Sequence, residues 1–157
     1  LVSSSAASDV YKRQIHDFDM VRFYLGNDEI KEIFATASNI SSKKFNEIKD
    51  YELATCILKS KTGVICTINN SRHYKYGYDQ RIEVFGSKGC LISINKKKYN
   101  FFIDRYKTAY KLQLQDLVNL ANKNKKPRAS FIDGEKALLL ANAAYKSLSS
   151  KKVIKIR

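Results

Sequence analysis

Residues 52–59 read ELATCILK. Alternate positions Leu53, Thr55 and Ile57 make one row and Ala54, Cys56 and Leu58 the other. Both rows are largely apolar, which is the pattern of a β-strand covered on its two faces. The same period of two continues along the chain: 30–38, 63–74, 80–86 and 89–95 read as strands, rich in Ile, Val, Thr, Phe and Cys. The links between them are short. Ser60, Lys61 and Thr62 precede Gly63, and Ser87 and Lys88 precede Gly89, as hairpins and hence antiparallel pairing require.

On either side of these strands the period lengthens to that of a helix. Residues 15–25 predict a helix stopped by Gly26 and Asn27. Ile15, Phe18, Met20, Val21, Phe23, Tyr24 and Leu25 leave it little room for a wet face, so it is expected to be mostly buried. Two more helices are expected later. Residues 107–124 carry the stripe Tyr110, Leu114, Leu117, Val118 and Ala121, and 134–148 carry Ala137, Leu138, Ala141 and Tyr145, with Asp133 as N-cap. A short strand at 153–156 can close the chain. The fold class is therefore α+β, a large, mainly antiparallel open sheet of five or six strands with helices on one face. So few helices cannot cover both faces, and the other is expected to meet another subunit.

The chain has 157 residues, 44% of them hydrophobic, with one Pro, six Gly and ten Tyr, a composition that folds. Its apolar runs, such as 137–144, fall short of the roughly 20 residues of a membrane-spanning helix. Cys56, Cys66 and Cys90 form no CxxC pair, and an odd number cannot all pair within the chain; they read as small core residues in a reducing compartment. The first fourteen residues, LVSSSAASDVYKRQ, sustain no period and do not fit a signal peptide. They look like translated sequencing adapter and are set aside as a non-native or disordered leader, leaving 15–157 as the domain.

Chemistry is concentrated in two places. His16 and Asp19 lie one helical turn apart, and a step of about 100° per residue puts them on one side with Met20 and Phe23, while Asp17 points elsewhere. A carboxylate there can orient an imidazole and favour its charged form; equally, the two can be a buried polar pair that satisfies itself. Asp17 and Asp19 lack the Cys, His or Glu neighbours of a metal site, so no metal is expected. The second place is NNSRHYKYGYDQR at 69–81, where donors and aromatic faces suit a small polyhydroxylated molecule, or else a twisted hairpin with wet tyrosines. The chain has no glycine-rich phosphate loop.

Four segments, IHDFDMVRFYLG at 15–26, NNSRHYKYGYDQRIEVFGSKG at 69–89, FFIDRYKTAY at 101–110 and DGEKALLLANAAYKS at 133–147, together resemble the C-terminal domain of the Gfo/Idh/MocA oxidoreductases. Within that family the strings YGYDQR and EVFGSKG are most similar to inositol 2-dehydrogenases, which oxidise myo-inositol to scyllo-inosose with NAD. The resemblance implies a cytoplasmic homotetramer that packs through the open sheet face. It also implies a preceding Rossmann domain, absent here, that binds most of the NAD and carries the catalytic lysine, so that this chain alone is inactive. His16 falls on the family's catalytic histidine, a general base; Asp19 on an acidic position facing the substrate hydroxyls; Tyr78 on a substrate-pocket position, with Tyr76 beside it. One position departs from the family pattern. An aspartate is expected four residues before the histidine, where this chain has Lys12, inside the suspected leader; a lysine there would repel a protonated imidazole. A family member that has lost catalysis and acts as a scaffold is the alternative within the family.

The net charge is +14, from 29 Lys and Arg against 15 Asp and Glu. This leaves a different class of function, a basic module that grips nucleic acid through lysines and stacks bases on tyrosines. Two features oppose it. Lys outnumbers Arg by 22 to 7, whereas phosphate and base recognition favour the forked guanidinium. The basic residues also gather at expected loops and ends, 43–44, 96–98, 123–128 and 151–152. The expected outcome of a salt titration is weak DNA or RNA retention that fades without a steep slope; micromolar or tighter binding with a steep salt dependence would establish the basic module instead.

Overall fold

The computed structural model describes residues 8–40, 45, 50–73, 78–100, 102–123 and 126–156. In chain order its elements are α1 (Ser8–Leu25), β1 (Ile30–Ser38), β2 (Leu53–Ser60), β3 (Ile65–Ser71), β4 (Ile82–Gly86), β5 (Gly89–Ser93), α2 (Phe102–Lys123), α3 (Phe131–Ser150) and β6 (Ile154–Lys155). Every strand and helix expected from periodicity is present, with shifted ends. Helix α1 starts at Ser8, inside the stretch read as a leader, so the backbone of 8–14 is helical. The chain divides into two compact units, Leu1–Arg72 with Ala129–Arg157, and His73–Arg128.

The first unit is built on a four-stranded antiparallel sheet in the order β3-β2-β1-β6. Its register lines up Ala35, Cys56 and Ile68 in one row and Ile33, Leu58 and Cys66 in the next. Both rows point to the same face and pack with Phe18 of α1 and Leu140, Ala141 and Ala144 of α3. Phe18, Ile33 and Leu58 are completely buried, and each such side chain contributes about 1.5–3 kcal/mol of hydrophobic stabilisation. The opposite row of β2 is not covered as the sequence pattern suggested. Ile57 is 45% exposed and Ile65 of the neighbouring strand 67%, because α1 and α3 lie on the other side.

Helix α3 meets the sheet along Ala137, Leu140, Ala141, Ala144 and Ser147. The stripe is thus rotated from the expected one, with Leu138 and Tyr145 outside. Small residues line the contact, so the helix backbone can approach the strands. Ser130, not Asp133, is the N-cap: the Ser130 hydroxyl accepts from the Asp133 N–H, and Asp133 at N3 accepts from the Ser130 N–H, closing a capping box. The far end closes on Lys151, in the left-handed region at φ 56°, whose N–H reaches Ser147 O at 2.7 Å.

In the second unit β4 and β5 form a hairpin whose ends meet at Gly86 and Gly89, and Tyr78 bridges to Tyr99. The expected single sheet of five or six strands is therefore a four-stranded sheet and a separate hairpin among the described residues. The apolar stripe of α2 is exposed at Tyr110, Leu114, Leu117 and Val118. The sequence reading assigned α2 to cover the sheet; within the first unit α1 and α3 pack on it, and α2 belongs to the second unit.

Pairing of β6 with β1 stops at Ile33, which leaves the Ala35 N–H without a strand partner on that side. Ser147, fully buried, takes over: its Oγ accepts from Ala35 N at 2.9 Å and donates to Lys152 O at 2.6 Å. Ser147→Ala strands a buried donor and a carbonyl together, and urea unfolding is expected to show a loss of about 2–3 kcal/mol; a change within about 0.5 kcal/mol would mean the two groups find other partners.

Candidate active site on helix α1

Helix α1 shows three different sides. Phe18 enters the core, and Asp17 beside it accepts from Asn70 Nδ2 of β3 at 2.8 Å. On another side His16, Met20, Phe23 and Tyr24 are exposed, Phe23 at 76%. The helix is therefore not mostly buried: among the described residues its neighbours, chiefly α3 and the sheet, cover one side of it. The expected separation of Asp17 from His16, Met20 and Phe23 holds, whereas Asp19 turns from that row toward Arg22, and His16 is a wet residue, not half of a buried pair.

The third side faces the start of α3 and is organised by Arg22. Its Nη1 donates to Asp19 Oδ1 at 3.0 Å and to the Asp133 carbonyl at 2.9 Å, and its Nη2 donates to Asp133 Oδ1 at 2.9 Å. The other carboxylate oxygen of Asp133 accepts from the Ser130 N–H and hydroxyl, each at 2.8 Å. Arg22 above all, then Ser130, holds the Asp133 carboxyl far below its ordinary value of 3.8. Asp19 is half exposed, Arg22 only 19%. Sequence reasoning singled out Asp19 and missed Arg22, although the i, i+3 spacing was available.

A second polar cluster went unread. Asp50 and Glu52 are buried next to Arg72. Arg72 Nη2 pairs with Asp50 Oδ2, and its Nε donates to Tyr51 O at 3.0 Å. Glu52 Oε2 accepts from the Ile40 N–H at 2.7 Å, and Asn39 Oδ1 from the Glu52 N–H at 2.8 Å. Glu52 extends the inward row of Ala54, Cys56 and Leu58, so the alternation already placed it inside. Arg72, part of the string read for ligand recognition, serves this cluster.

In the second unit Tyr78 is half-buried. Its hydroxyl lies 3.3 Å from that of Tyr106, with the rings edge to face at 5.9 Å, and its carbonyl accepts from Asn95 Nδ2 at 2.8 Å. Arg105 stacks on Tyr99 and Tyr106 and donates to Asn95 Oδ1 at 2.9 Å. Tyr76 lies outside the described residues. His16 and Asp19 thus lie on neighbouring sides of α1, and Tyr78 lies in the other unit. Of the cysteines, Cys56 is a core residue, its thiol pushed up to about 11 by burial, Cys66 packs half-buried against that core, and Cys90 is exposed. Among the described residues no group of His, Cys, Asp and Glu is placed to hold a metal, and no helix is long and apolar enough to cross a membrane.

The hydroxyls of Ser60 and Thr62 also hold the Asp28 carboxyl below its ordinary value. Both acids have folded values lowered from 3.8, so the stability they contribute is full above the unfolded value and is lost as pH falls through the folded ones. Urea midpoints are expected to drop on acidification below that value, and less steeply in Asp133→Asn. A variant profile superimposable on the unmodified one would show that Asp133 does not carry the effect.

Residues 10–92 match the model of the GFO/IDH/MocA C-terminal domain. The chain is 37% identical to the myo-inositol 2-dehydrogenase of Thermotoga maritima, over 90% of this chain and 47% of that protein. It is 36% identical to the inositol 2-dehydrogenase of Rhizobium meliloti, over 90% and 48%. A crystal structure of a myo-inositol dehydrogenase from Corynebacterium glutamicum superposes with a TM-score of 0.91 at 34% identity, covering 97% of this chain and 51% of that one. The chain spans about half the length of the curated relatives it matches. It belongs to the Gfo/Idh/MocA oxidoreductases, as a C-terminal domain of that family.

Proposed function

We propose that this chain is the substrate-binding and oligomerisation half of a cytoplasmic, NAD-dependent inositol 2-dehydrogenase, or of a close polyol or sugar relative, with residues 15–157 forming that domain. The observation that carries the reading is a solvent-facing histidine with an aspartate one turn away, on the first helix of a chain related over most of its length to inositol dehydrogenases. A proton acceptor has to be reached by its substrate, and His16 is open on α1.

The cofactor does not fit this chain alone. The N-terminus of α3, the one described helix start with a glycine in its first turn, is already closed by Ser130 and Asp133, and no glycine-rich loop is present in the sequence to approach a pyrophosphate. A preceding Rossmann domain would hold NAD, which when bound supplies the hydride acceptor. The residues here would do the rest. His16 takes the proton of the reacting hydroxyl, so that no full alkoxide builds up as the carbon is oxidised to the ketone. Asp19 accepts a hydrogen bond from a further hydroxyl of the ring, and Tyr78, with Tyr76, offers phenol groups to others. The uncovered face of the sheet, with Ile57 and Ile65 exposed, is the surface through which four copies would associate.

The protein with its upstream coding sequence restored is expected to reduce NAD with myo-inositol or a related polyol, and the 157-residue chain alone to be inactive. His16→Ala in the restored protein is expected to lower kcat by about 10²- to 10⁴-fold. A restored gene that encodes no dinucleotide-binding domain, or a His16→Ala protein of undiminished activity, would sink the reading.

A further inference from the structure

Resting on that function, we propose that Arg22 is a positioning residue: it holds Asp19 by one carboxylate oxygen and leaves the other to select the polyol. Asp19 is half exposed, and a carboxylate at such a position on an isolated helix would move among rotamers. Arg22 removes that freedom. Asp19 Oδ1 accepts from Nη1, while Oδ2 has no partner among the described residues. The guanidinium is fixed in turn, because the same Nη1 reaches the Asp133 carbonyl and Nη2 reaches Asp133 Oδ1. Asp133 cannot swing away, since its remaining oxygen closes the capping box of α3 through two bonds from Ser130. Asp19 is thus tied, through a planar fork, to the first turn of the helix that packs on the sheet. A free acceptor oxygen held at one place beside the wet face of α1 suits a hydroxyl that is a hydrogen-bond donor of fixed position on a ring.

The fork is specific to arginine. Lysine would keep the charge but has one ammonium on a flexible stem, and cannot bridge two residues with the same geometry.

In the full-length protein Arg22→Ala is expected to raise KM for the polyol about tenfold, with kcat falling by a smaller factor and KM for NAD unchanged. Arg22→Lys is expected to recover only part of the loss. Asp133→Asn, which keeps the fold of the residue but weakens its hold on the guanidinium, is expected to raise the polyol KM by less than Arg22→Ala. In an Asp19→Asn background Arg22→Ala is expected to add almost nothing, since the two act as a unit. A loss of folding alone would lower the active fraction, hence kcat, and leave KM where it was. Should Arg22→Ala not fold, the Lys and Asn variants carry the same KM reading. An unchanged polyol KM in these variants, or an undiminished effect of Arg22→Ala in the Asp19→Asn background, overturns the positioning role while the function stands. An unmodified full-length protein that neither binds nor oxidises a polyol overturns the function and this role together.

Discussion

The approach of α3 to the sheet is the constraint on which the first unit depends. Ala137, Ala141 and Ala144 give the helix a narrow face, and this lets Ser147 reach the backbone of β1 and close the place just before β6 begins. A larger residue at any of these alanines would have to push the helix off the strands, and overpacking of that kind typically costs about 1–3 kcal/mol. Once α3 is docked, its first turn is fixed as well. Ser130 and Asp133 then stand where Arg22 can bridge to them, and α1 is held by a polar contact on one side and by Phe18 on the other. The packing of three alanines therefore reaches Asp19 through a short series of named contacts.

Much of this was legible in the sequence, and the limits have physical causes. The period of two located β1, β2 and β3 because each buries one row; β4 and β5, open along most of their length, were marked by the glycines at their turn. The period misjudged the second row of β2: Leu53, Thr55 and Ile57 are apolar enough to be covered, but which element covers them is not a local property. The stripe of α3 held at Ala137 and Ala141 and missed at Leu138 and Tyr145 for a related reason. On α3 the pattern admits two adjacent apolar faces, and small residues decided in favour of the one with Ala144 and Ser147 over the one with Leu138 and Tyr145. The cap was misassigned because Asp133 and Ser130 are both good cap residues spaced as a capping box, and either end of the box reads as a start.

The candidate site divides in the same way. His16 and Asp19 were visible because their spacing is helical and they interrupt an apolar run. Arg22 was not, since its role rests on Asp133, a residue more than a hundred positions away in the chain. Sequence distance hides such partners unless both are already suspected. The Asp50, Glu52 and Arg72 cluster was hidden differently: Glu52 continues the buried row of β2, and an acidic residue there is easily read as the solvated end of a strand.

That cluster and the Arg22 fork occupy matching places along the chain. The first unit gives way to the second after Arg72 and resumes at Ala129. Arg72 is anchored on Asp50 just before the chain leaves, and Asp133 is anchored on Arg22 just after it returns. Removing one partner of a buried pair leaves an uncompensated charge and costs several kcal/mol, whereas an exposed pair contributes about 1 kcal/mol or less. Asp50 is buried and Asp133 is partly open, so the two anchors differ in kind. The first acts on the integrity of the fold. The second sits close to solvent, contributes less to stability, and is free to be judged by what it does to Asp19, which is why substrate affinity and not unfolding is the measurement that distinguishes them.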